Sequence, residues 1–260
     1  MNSVLFETLP LAVIYVGVTL IMLGSTELGY QFGERVRTNQ DKDAPTSLGP
    51  MVGGLLGLLA FVLAFTFSMA ASMYDIRKQN VLLEANAIGT AYMRADLLET
   101  QSGNEVKGLL REYVDIRLRA ASGEDLEGAL LRSVEIQKLL WAQVSSAAVA
   151  APSTNTSLMV QSTNDLIDMH EKRVTAALRN RIPGSIWIAL MAISILTMVT
   201  LGAQAGLSGR RRLVAVIPLS LAFTVLVALV VDLDRPQKGL INVGQQAMVS
   251  LQDSMGPDTK

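Results

Sequence analysis

The stretch that decides the fold is residues 49–98, GPMVGGLLGLLAFVLAFTFSMAASMYDIRKQNVLLEANAIGTAYMRADLL. Residues 49–74 contain no charged side chain, and residues 75–98 are polar and contain no proline. A helix needs about 20 apolar residues to cross the hydrocarbon core of a bilayer. We therefore predict one unbroken helix that spans the membrane with its first half and continues outside it with its second half.

The composition predicts three further spans. The 260-residue chain is 50% hydrophobic and only 17% charged, with a mean hydropathy of +0.36, whereas a soluble domain carries about 25% charged residues. Four uncharged runs are each long enough for one span: 8–26, 44–74, 182–209 and 213–231. Within these runs we expect spans at 9–26, 49–74, 186–204 and 213–231, with a short polar loop at 30–47.

The residues between the second and third spans predict a helical domain. Apolar residues three or four apart predict helices at 106–121, 126–150 and 157–180, and Ser102-Gly103-Asn104 is a turn signal. The predicted fold is all-α: a four-span helical membrane protein with an extramembrane antiparallel helical domain continuous with the second span. The predicted boundaries are 1–72 for spans one and two, 73–181 for the helical domain, 182–231 for spans three and four, and 232–260 for a polar, frayed tail.

The residue types present exclude several classes of function. The chain has no cysteine, so disulfides, thiolate metal sites and cysteine catalysis are excluded. Its only histidine, His170, has charged neighbours, and we expect a solvated side chain rather than a metal ligand. A net charge of −1 does not suggest nucleic-acid binding. No group of acids, bases and nucleophiles suggests catalysis, so we expect no enzyme activity, no cofactor and no metal.

The second span carries two patterns with different meanings. Gly49, Gly53 and Gly57 recur every four residues, which favours close packing against another helix in lipid. A candidate pore lining follows, formed by Phe61, Phe65, Ser68 and Ser72. In that interpretation Phe65 is a hydrophobic constriction with the two serines beyond it. Helix packing and pore lining both fit the pattern.

Charged residues gather where spans two, three and four are expected to reach the same membrane face. Aspartates at the C-terminal end of a helix oppose the helix macrodipole, so next to lipid they should seek arginine partners. The set predicts either an ion-pair network that fixes the helix order or the charged mouth of an ion pathway. Its members are Arg77, Lys78, Glu84, Arg94, Arg179, Arg181, Asp232, Asp234 and Arg235.

Two segments resemble a known family. Residues 84–98, EANAIGTAYMRADLL, directly follow a phenylalanine-rich span, and residues 232–239, DLDRPQKG, are followed by INVGQQ at 241–246. Both segments resemble signatures of the bestrophin-like (DUF4239) family of bacterial membrane proteins, and the likeness covers nearly the whole chain in the same order. The resemblance implies an oligomeric anion channel, although the aromatic neck sequence typical of bestrophins is not found here.

The sidedness of the helical domain stays open at this point. Basic residues mark both short loops, namely Arg35, Arg37 and Lys42 in the first and residues 210–212 in the second. Loops rich in Lys and Arg tend to be cytoplasmic, which would place the helical domain in the periplasm of a bacterium with the chain in its inner membrane. The resemblance to bestrophins implies the reverse orientation.

Two functions from different classes fit these observations. The first is a homo-oligomeric membrane ion channel, with anions as the ions implied by the resemblance, a pore near the second span and a charged mouth. The second is a non-conducting membrane scaffold or sensor whose helical domain binds a partner or small ligand. The expected partners are the lipid bilayer, ions and further copies of the chain, without nucleic acid.

Overall fold

The computed structural model describes residues 9–39, 48–211, 213–235 and 239–256, and within these ranges all regular structure is helical. The chain divides into two compact units. The membrane unit comprises Met1–Met73 and Arg181–Ile241. The helical unit comprises Tyr74–Asn180 and Asn242–Lys260.

Eight α-helices follow one another along the described chain. They are α1 (Leu11–Asn39), α2 (Gly49–Arg94), α3 (Thr100–Ser122), α4 (Leu126–Ala150), α5 (Thr154–Val174), α6 (Gly184–Leu207), α7 (Leu213–Asp234) and α8 (Gln246–Ser254). A 3₁₀ turn, Ala95–Leu97, follows α2, and a π-helical turn, Thr175–Arg179, follows α5. Four of these helices, α1, α2, α6 and α7, are long and apolar enough to cross a membrane.

Helix α2 confirms the central prediction, since it runs unbroken for 46 residues from the uncharged run into the polar segment. At a rise of 1.5 Å per residue this is a rod of roughly 70 Å, more than twice the thickness of the hydrocarbon core. Pro50 lies in its first turn, where a missing N–H group costs no helical hydrogen bond. The predicted all-α, four-span fold is therefore present.

Helices α1 and α6 of the membrane unit are held together by two pairs of glycines. A Cβ added to Gly29 would overlap the carbonyl oxygen of Val199, and one added to Gly33 would overlap that of Ala203. The contact is reciprocal, because Gly202 and Gly206 face the backbone of α1 equally closely. Each pair is a glycine–three residues–glycine motif, which lets helix backbones approach closely in lipid.

The predicted polar loop at 30–47 is wrong for its first ten residues, because α1 continues as helix to Asn39. The glycine contacts with α6 extend along this end of α1 and stabilise it as helix. Arg211 also contacts this part of α1, since its guanidinium lies 3.2 Å from the Glu27 carboxylate and 4.8 Å from the centre of the Tyr30 ring. Lys42 and Arg212 lie outside the described residues.

The helical unit encloses a core shared by the outer part of α2, α3, α4, α5 and α8. Helix α4 has the bounds expected from the sequence, Leu126–Ala150. Helix α5 begins with a capping box in which Ser153 and Thr156 bond each other's backbone N–H groups. The largest fully buried side chains of this core are Ile88, Leu110, Tyr113, Ile136, Leu140, Met159, Leu166 and Met248.

Two expectations for this unit are wrong. The predicted turn at Ser102-Gly103-Asn104 lies inside α3, where Gly103 leaves room for the carbonyl oxygen of Ala95, which would be 2.5 Å from an added Cβ. The tail is not frayed between Gln246 and Ser254, because α8 forms there and buries Met248 completely. Amphipathic burial therefore orders a segment whose polarity suggested disorder.

Candidate functional site

The predicted pore-lining residues share one exposed face of α2 within the membrane unit. Phe61 and Phe65 are 70% and 59% exposed, and Ser68 and Ser72 are exposed as well. On an ideal helix these four positions fall within about 60° of one another. The opposite face of the same helix is buried within the chain and carries Val52, Leu59, Leu63, Thr66 and Ala70.

Part of the small-residue stripe of α2 is open among the residues that the structure describes. An added Cβ at Gly53, Gly54 or Gly57 would have no atom within 4 Å among the described residues. Among the described residues no helix backbone packs against Gly53 or Gly57, whereas the glycines of α1 and α6 do pack backbone against backbone. Packing of the α2 stripe against another helix stays a prediction. The signal for the α1–α6 contact, two glycines four residues apart in each helix, is present in the sequence and was missed.

Two aspartates at the end of α7 are held by the backbone of the membrane unit. The Asp232 carboxylate accepts hydrogen bonds from the N–H groups of Leu240 (2.7 Å) and Ile241 (3.0 Å). Glycine is required at position 239, since an added Cβ would lie 2.5 Å from Asp232 Oδ1. Asp234 Oδ1 accepts from the N–H of Ile182, so this carboxylate joins the end of α7 to the segment before α6.

The basic members of the predicted charged set are distributed over both units. In the membrane unit, Arg181 Nη1 donates to the carbonyl oxygen of Asp234 at 2.6 Å, and Arg235 is buried. In the helical unit, Arg77 is buried, Lys78 is exposed, and Arg179 forms an exposed ion pair with Glu171 at 3.1 Å. A common role of these residues as a mouth or ion-pair network stays a prediction.

Arg94 and Tyr92, near the end of α2, contact protein groups within the helical unit. Arg94 Nη1 donates to the carbonyl oxygen of Leu158 (3.0 Å) and to Ser162 Oγ (2.6 Å), which ties α2 to α5. The Tyr92 hydroxyl donates to the carbonyl oxygen of Met255 at 3.1 Å, which ties α2 to the segment after α8.

A buried charge cluster at the centre of the helical unit surrounds Glu84, whose side chain has no solvent exposure. Arg117 Nε lies 3.1 Å from Glu84 Oε1, and Arg173 forms an ion pair with Glu84 Oε2. The Tyr113 hydroxyl donates to Glu84 Oε1 at 2.9 Å. Arg173 also donates to Gln245 Oε1 at 2.7 Å, so the cluster joins α2, α3, α5 and the segment before α8.

His170 belongs to this cluster, so its expected exposure to solvent is wrong. The side chain is only 4% exposed, and its Nδ1 lies 2.8 Å from the Tyr113 hydroxyl oxygen. With the Tyr113 proton directed to Glu84, this contact is a hydrogen bond in the tautomer in which His170 Nδ1–H donates to the Tyr113 oxygen. The missed signal is the helical spacing of the buried face of α5, formed by Met159, Thr163, Leu166, His170 and Arg173.

The environment of the cluster shifts the pKa of several groups. Burial raises the pKa of Glu84, but the Arg117 and Arg173 guanidinium groups outweigh burial and bring it below its ordinary value. Burial, assisted by the Glu84 charge, raises the pKa of Tyr113 well above 10. Burial and then Arg117 lower the pKa of His170 from 6.5 to about 4. At neutral pH the cluster therefore holds one carboxylate, two guanidinium groups, a neutral phenol and a neutral imidazole, with an excess of one positive charge.

The cluster is suited to holding helices in register rather than to chemistry, because its polar groups are directed at one another in a closed interior. A more open feature of the helical unit is a cleft of about 370 Å³ beside α3 and α8, lined by Arg111, Val114, Asp115, Gln252, Asp253, Met255 and Gly256. Within the described residues, no three His, Asp or Glu side chains are grouped to hold a metal ion.

Comparison with known proteins identifies the family. A crystal structure of a variant of a bacterial bestrophin homologue from Klebsiella pneumoniae has a TM-score of 0.66 at 14% identity, covering 94% of this chain and 97% of that one. A crystal structure described as a membrane protein has a TM-score of 0.69 at 14% identity, covering 95% and 99%. A search of curated proteins gives no match. The family model for the bestrophin-like domain matches residues 19–248, and the chain therefore belongs to the bestrophin-like family.

Proposed function

We propose that the chain forms a homo-oligomeric ion channel in the bacterial inner membrane, with the exposed face of α2 lining the pore. The observation that carries the proposal is the division of α2 into a buried face and an opposite face with Phe61, Phe65, Ser68 and Ser72. Aromatic side chains followed by hydroxyls form a hydrophobic constriction and then a wettable wall. Membership of the bestrophin-like family and the likeness to a bacterial bestrophin homologue support this function.

The open glycine stripe of α2 supports assembly from several copies. In the described part of the chain nothing lies within 4 Å of a Cβ added to Gly53 or Gly57, and small residues at this spacing allow another helix to approach. A neighbouring copy supplies that helix in the proposed oligomer. Phe61 and Phe65 would then face an axis shared by the copies.

We propose anions as the conducted ions and the charged residues of the membrane unit, Arg181, Asp232, Asp234 and Arg235, as the mouth of the pore. Single-channel recording in planar bilayers with asymmetric salt tests both conduction and selectivity. Reproducible unitary currents whose reversal potential lies near that of the anion are expected. A reversal potential near that of the cation would refute anion selectivity and leave the channel itself in place.

Phe65→Ala tests the position of the pore. Removing the ring widens a constriction on the exposed face, so we expect a larger unitary conductance with unchanged expression and oligomer size. Phe67→Ala is the matched control, because Phe67 lies about 160° around the helix from Phe65 and is also partly exposed. Equal conductance in both variants and the parent protein would remove Phe65 from the constriction.

We further propose that the helical unit faces the periplasm. Arg35 and Arg37 at the end of α1 and Arg210 and Arg211 after α6 then mark the cytoplasmic side. Because the chain has no cysteine, Glu124→Cys in the turn between α3 and α4 provides a unique label. We expect this cysteine to react with a membrane-impermeant maleimide on intact spheroplasts. Labelling only after lysis would indicate the opposite orientation.

The cleft of about 370 Å³ beside α3 and α8 favours one alternative, a membrane sensor whose helical unit binds a small ligand. Ligand pockets of roughly 300–1,000 Å³ combine apolar walls with a few polar groups, and this cleft has Val114 and Met255 beside Arg111 and Asp115. Electrical silence of an intact oligomer, together with a ligand-induced rise in thermal stability that Asp115→Ala abolishes, would favour the sensor.

A further inference from the structure

The helical unit contains a buried titratable group, His170, that neither the proposed conduction nor the cleft beside α3 and α8 involves. His170 is the only histidine in the chain, so it is the only side chain with an ordinary pKa between 5 and 8. It is 4% exposed and contacts the Tyr113 hydroxyl, which in turn bonds to Glu84. A proton taken up at this position therefore enters a closed polar network.

The groups around His170 make an added positive charge unfavourable. The imidazole contacts the Tyr113 hydroxyl of α3, which also accepts from Gln137 Nε2 of α4 at 3.5 Å. The charged groups that act on it are Arg117 from α3, Glu84 from α2, and Glu171 and Arg173 from α5. Glu84 is the only buried anion among these groups, and it is already paired with both guanidinium groups. Glu171 is mostly exposed and pairs with Arg179.

In the tautomer in which Nδ1–H donates to Tyr113, a second proton on His170 would bind at Nε2. The charge excess of the cluster would rise from one to two, with no further buried anion from the groups named above to balance it. A buried charge without a partner is costly. Separation of the helices admits water to the charge and relieves that cost. The helix that carries both His170 and Arg173 is α5.

We propose that the Glu84–Arg117–Arg173–Tyr113–His170 cluster is an acid-sensitive latch, in which protonation of His170 loosens the packing of α5 on α2 and α3 within the helical unit. The proposal concerns this unit alone and does not depend on ion conduction. In this proposal acid acts at His170, and the effect reaches α2 through the contacts of the cluster with Glu84.

The direction of the pH dependence follows from the difference between folded and unfolded states. His170 has a pKa of about 4 in the folded protein, lowered by burial and Arg117, against 6.5 ordinarily. The unfolded or opened state therefore binds more protons between these values, and stability is full above pH 6.5 and declines as the pH falls toward 4. At pH 5 the opening equilibrium is favoured about 30-fold relative to pH 7.5.

Hydrogen exchange of the full-length protein in detergent, corrected for intrinsic exchange rates, tests the latch. The protection factors of α5 amides should fall about 30-fold between pH 7.5 and pH 5. His170→Asn keeps an N–H donor near the Tyr113 hydroxyl but does not titrate, so its α5 protection should be independent of pH over this range. An equal fall in both proteins would assign the effect to carboxylates, and constant protection in the parent protein would also overturn the proposal.

A second measurement does not require a variant. Because the chain has a single histidine, the imidazole Cε1–H resonance reports His170 alone. The midpoint of the pH titration of this resonance is expected below pH 5. A midpoint at 6.5 or above would overturn the latch, since protonation would then cost the folded unit nothing.

Discussion

The excess positive charge of the buried cluster allows a prediction that separates its electrostatics from simple contact loss. Replacing Glu84 with Gln removes the only anion of the cluster and leaves the Arg117 and Arg173 guanidinium groups without a counter-charge. Replacing Arg173 with Gln leaves a balanced pair of Glu84 and Arg117. Removing the negative partner should therefore cost more than removing one of the two positive partners.

The magnitudes follow from the burial of the groups. Breaking a buried pair by removing one partner costs about 3–5 kcal/mol when a charge is left uncompensated, and Glu84→Gln leaves two such charges. Arg173→Gln loses a charge-assisted hydrogen bond worth about 1.5–3 kcal/mol, offset by no longer burying that guanidinium, which is 8% exposed. At about 2–4 °C per kcal/mol for a protein of this size, Glu84→Gln should lower the melting temperature by roughly 10–20 °C, and Arg173→Gln by less than half as much.

The assay is thermal unfolding of the purified protein in detergent at pH 7.5, followed by near-ultraviolet circular dichroism. Arg132→Gln is the control, because Arg132 forms its ion pairs with Glu112 and Glu135 at the surface. Its melting temperature should match that of the parent protein. Equal losses for Glu84→Gln and Arg173→Gln, or a larger loss for Arg173→Gln, would refute the assignment of excess positive charge.

Two further predictions concern packing in each unit. Gly29→Ala places a methyl group against the carbonyl oxygen of Val199 and should destabilise the protein by about 1–3 kcal/mol or more. Gly24→Ala on the same helix meets open space and should leave the stability unchanged. Equal melting temperatures of the two variants would contradict the α1–α6 contact. Met248→Ala empties a fully buried site and should cost about 2–5 kcal/mol, measured by thermal unfolding. Met93→Ala, at a residue two-thirds exposed, is its control, and similar losses in both variants would argue against docking of α8.

The membrane fold could be predicted from the sequence because its determinants are local. An uncharged run of sufficient length with no proline after Pro50 specifies a spanning helix, and the polar residues that follow carry the same helix onward. Gly103 shows where local reasoning stops. Glycine between Ser102 and Asn104 indicates a turn, but here its missing side chain admits a carbonyl oxygen of the preceding turn.

The charge cluster could not be predicted from neighbours in sequence. His170 has polar neighbours on both sides along the chain, yet it lies on the buried face of α5 with Leu166 and Arg173. Glu84 was recognised as a candidate, but its partners Arg117 and Arg173 come from helices distant in sequence. Pairing of buried charges depends on tertiary structure, and only the helical period of the buried positions indicates it beforehand.

The position of α8 also determines when the protein can finish folding during synthesis. Met248 and Met255 complete a core whose other members lie before Asn180, and residues 181–241 of the membrane unit are made in between. At roughly 5–20 residues per second, these 61 residues delay completion by about 3–12 s. During that interval the nascent helical unit exposes the apolar surface that α8 later covers, while α6 and α7 are still being synthesised and inserted. Ribosomal pausing within this segment would prolong the time during which chaperones and proteases have access to the incomplete core.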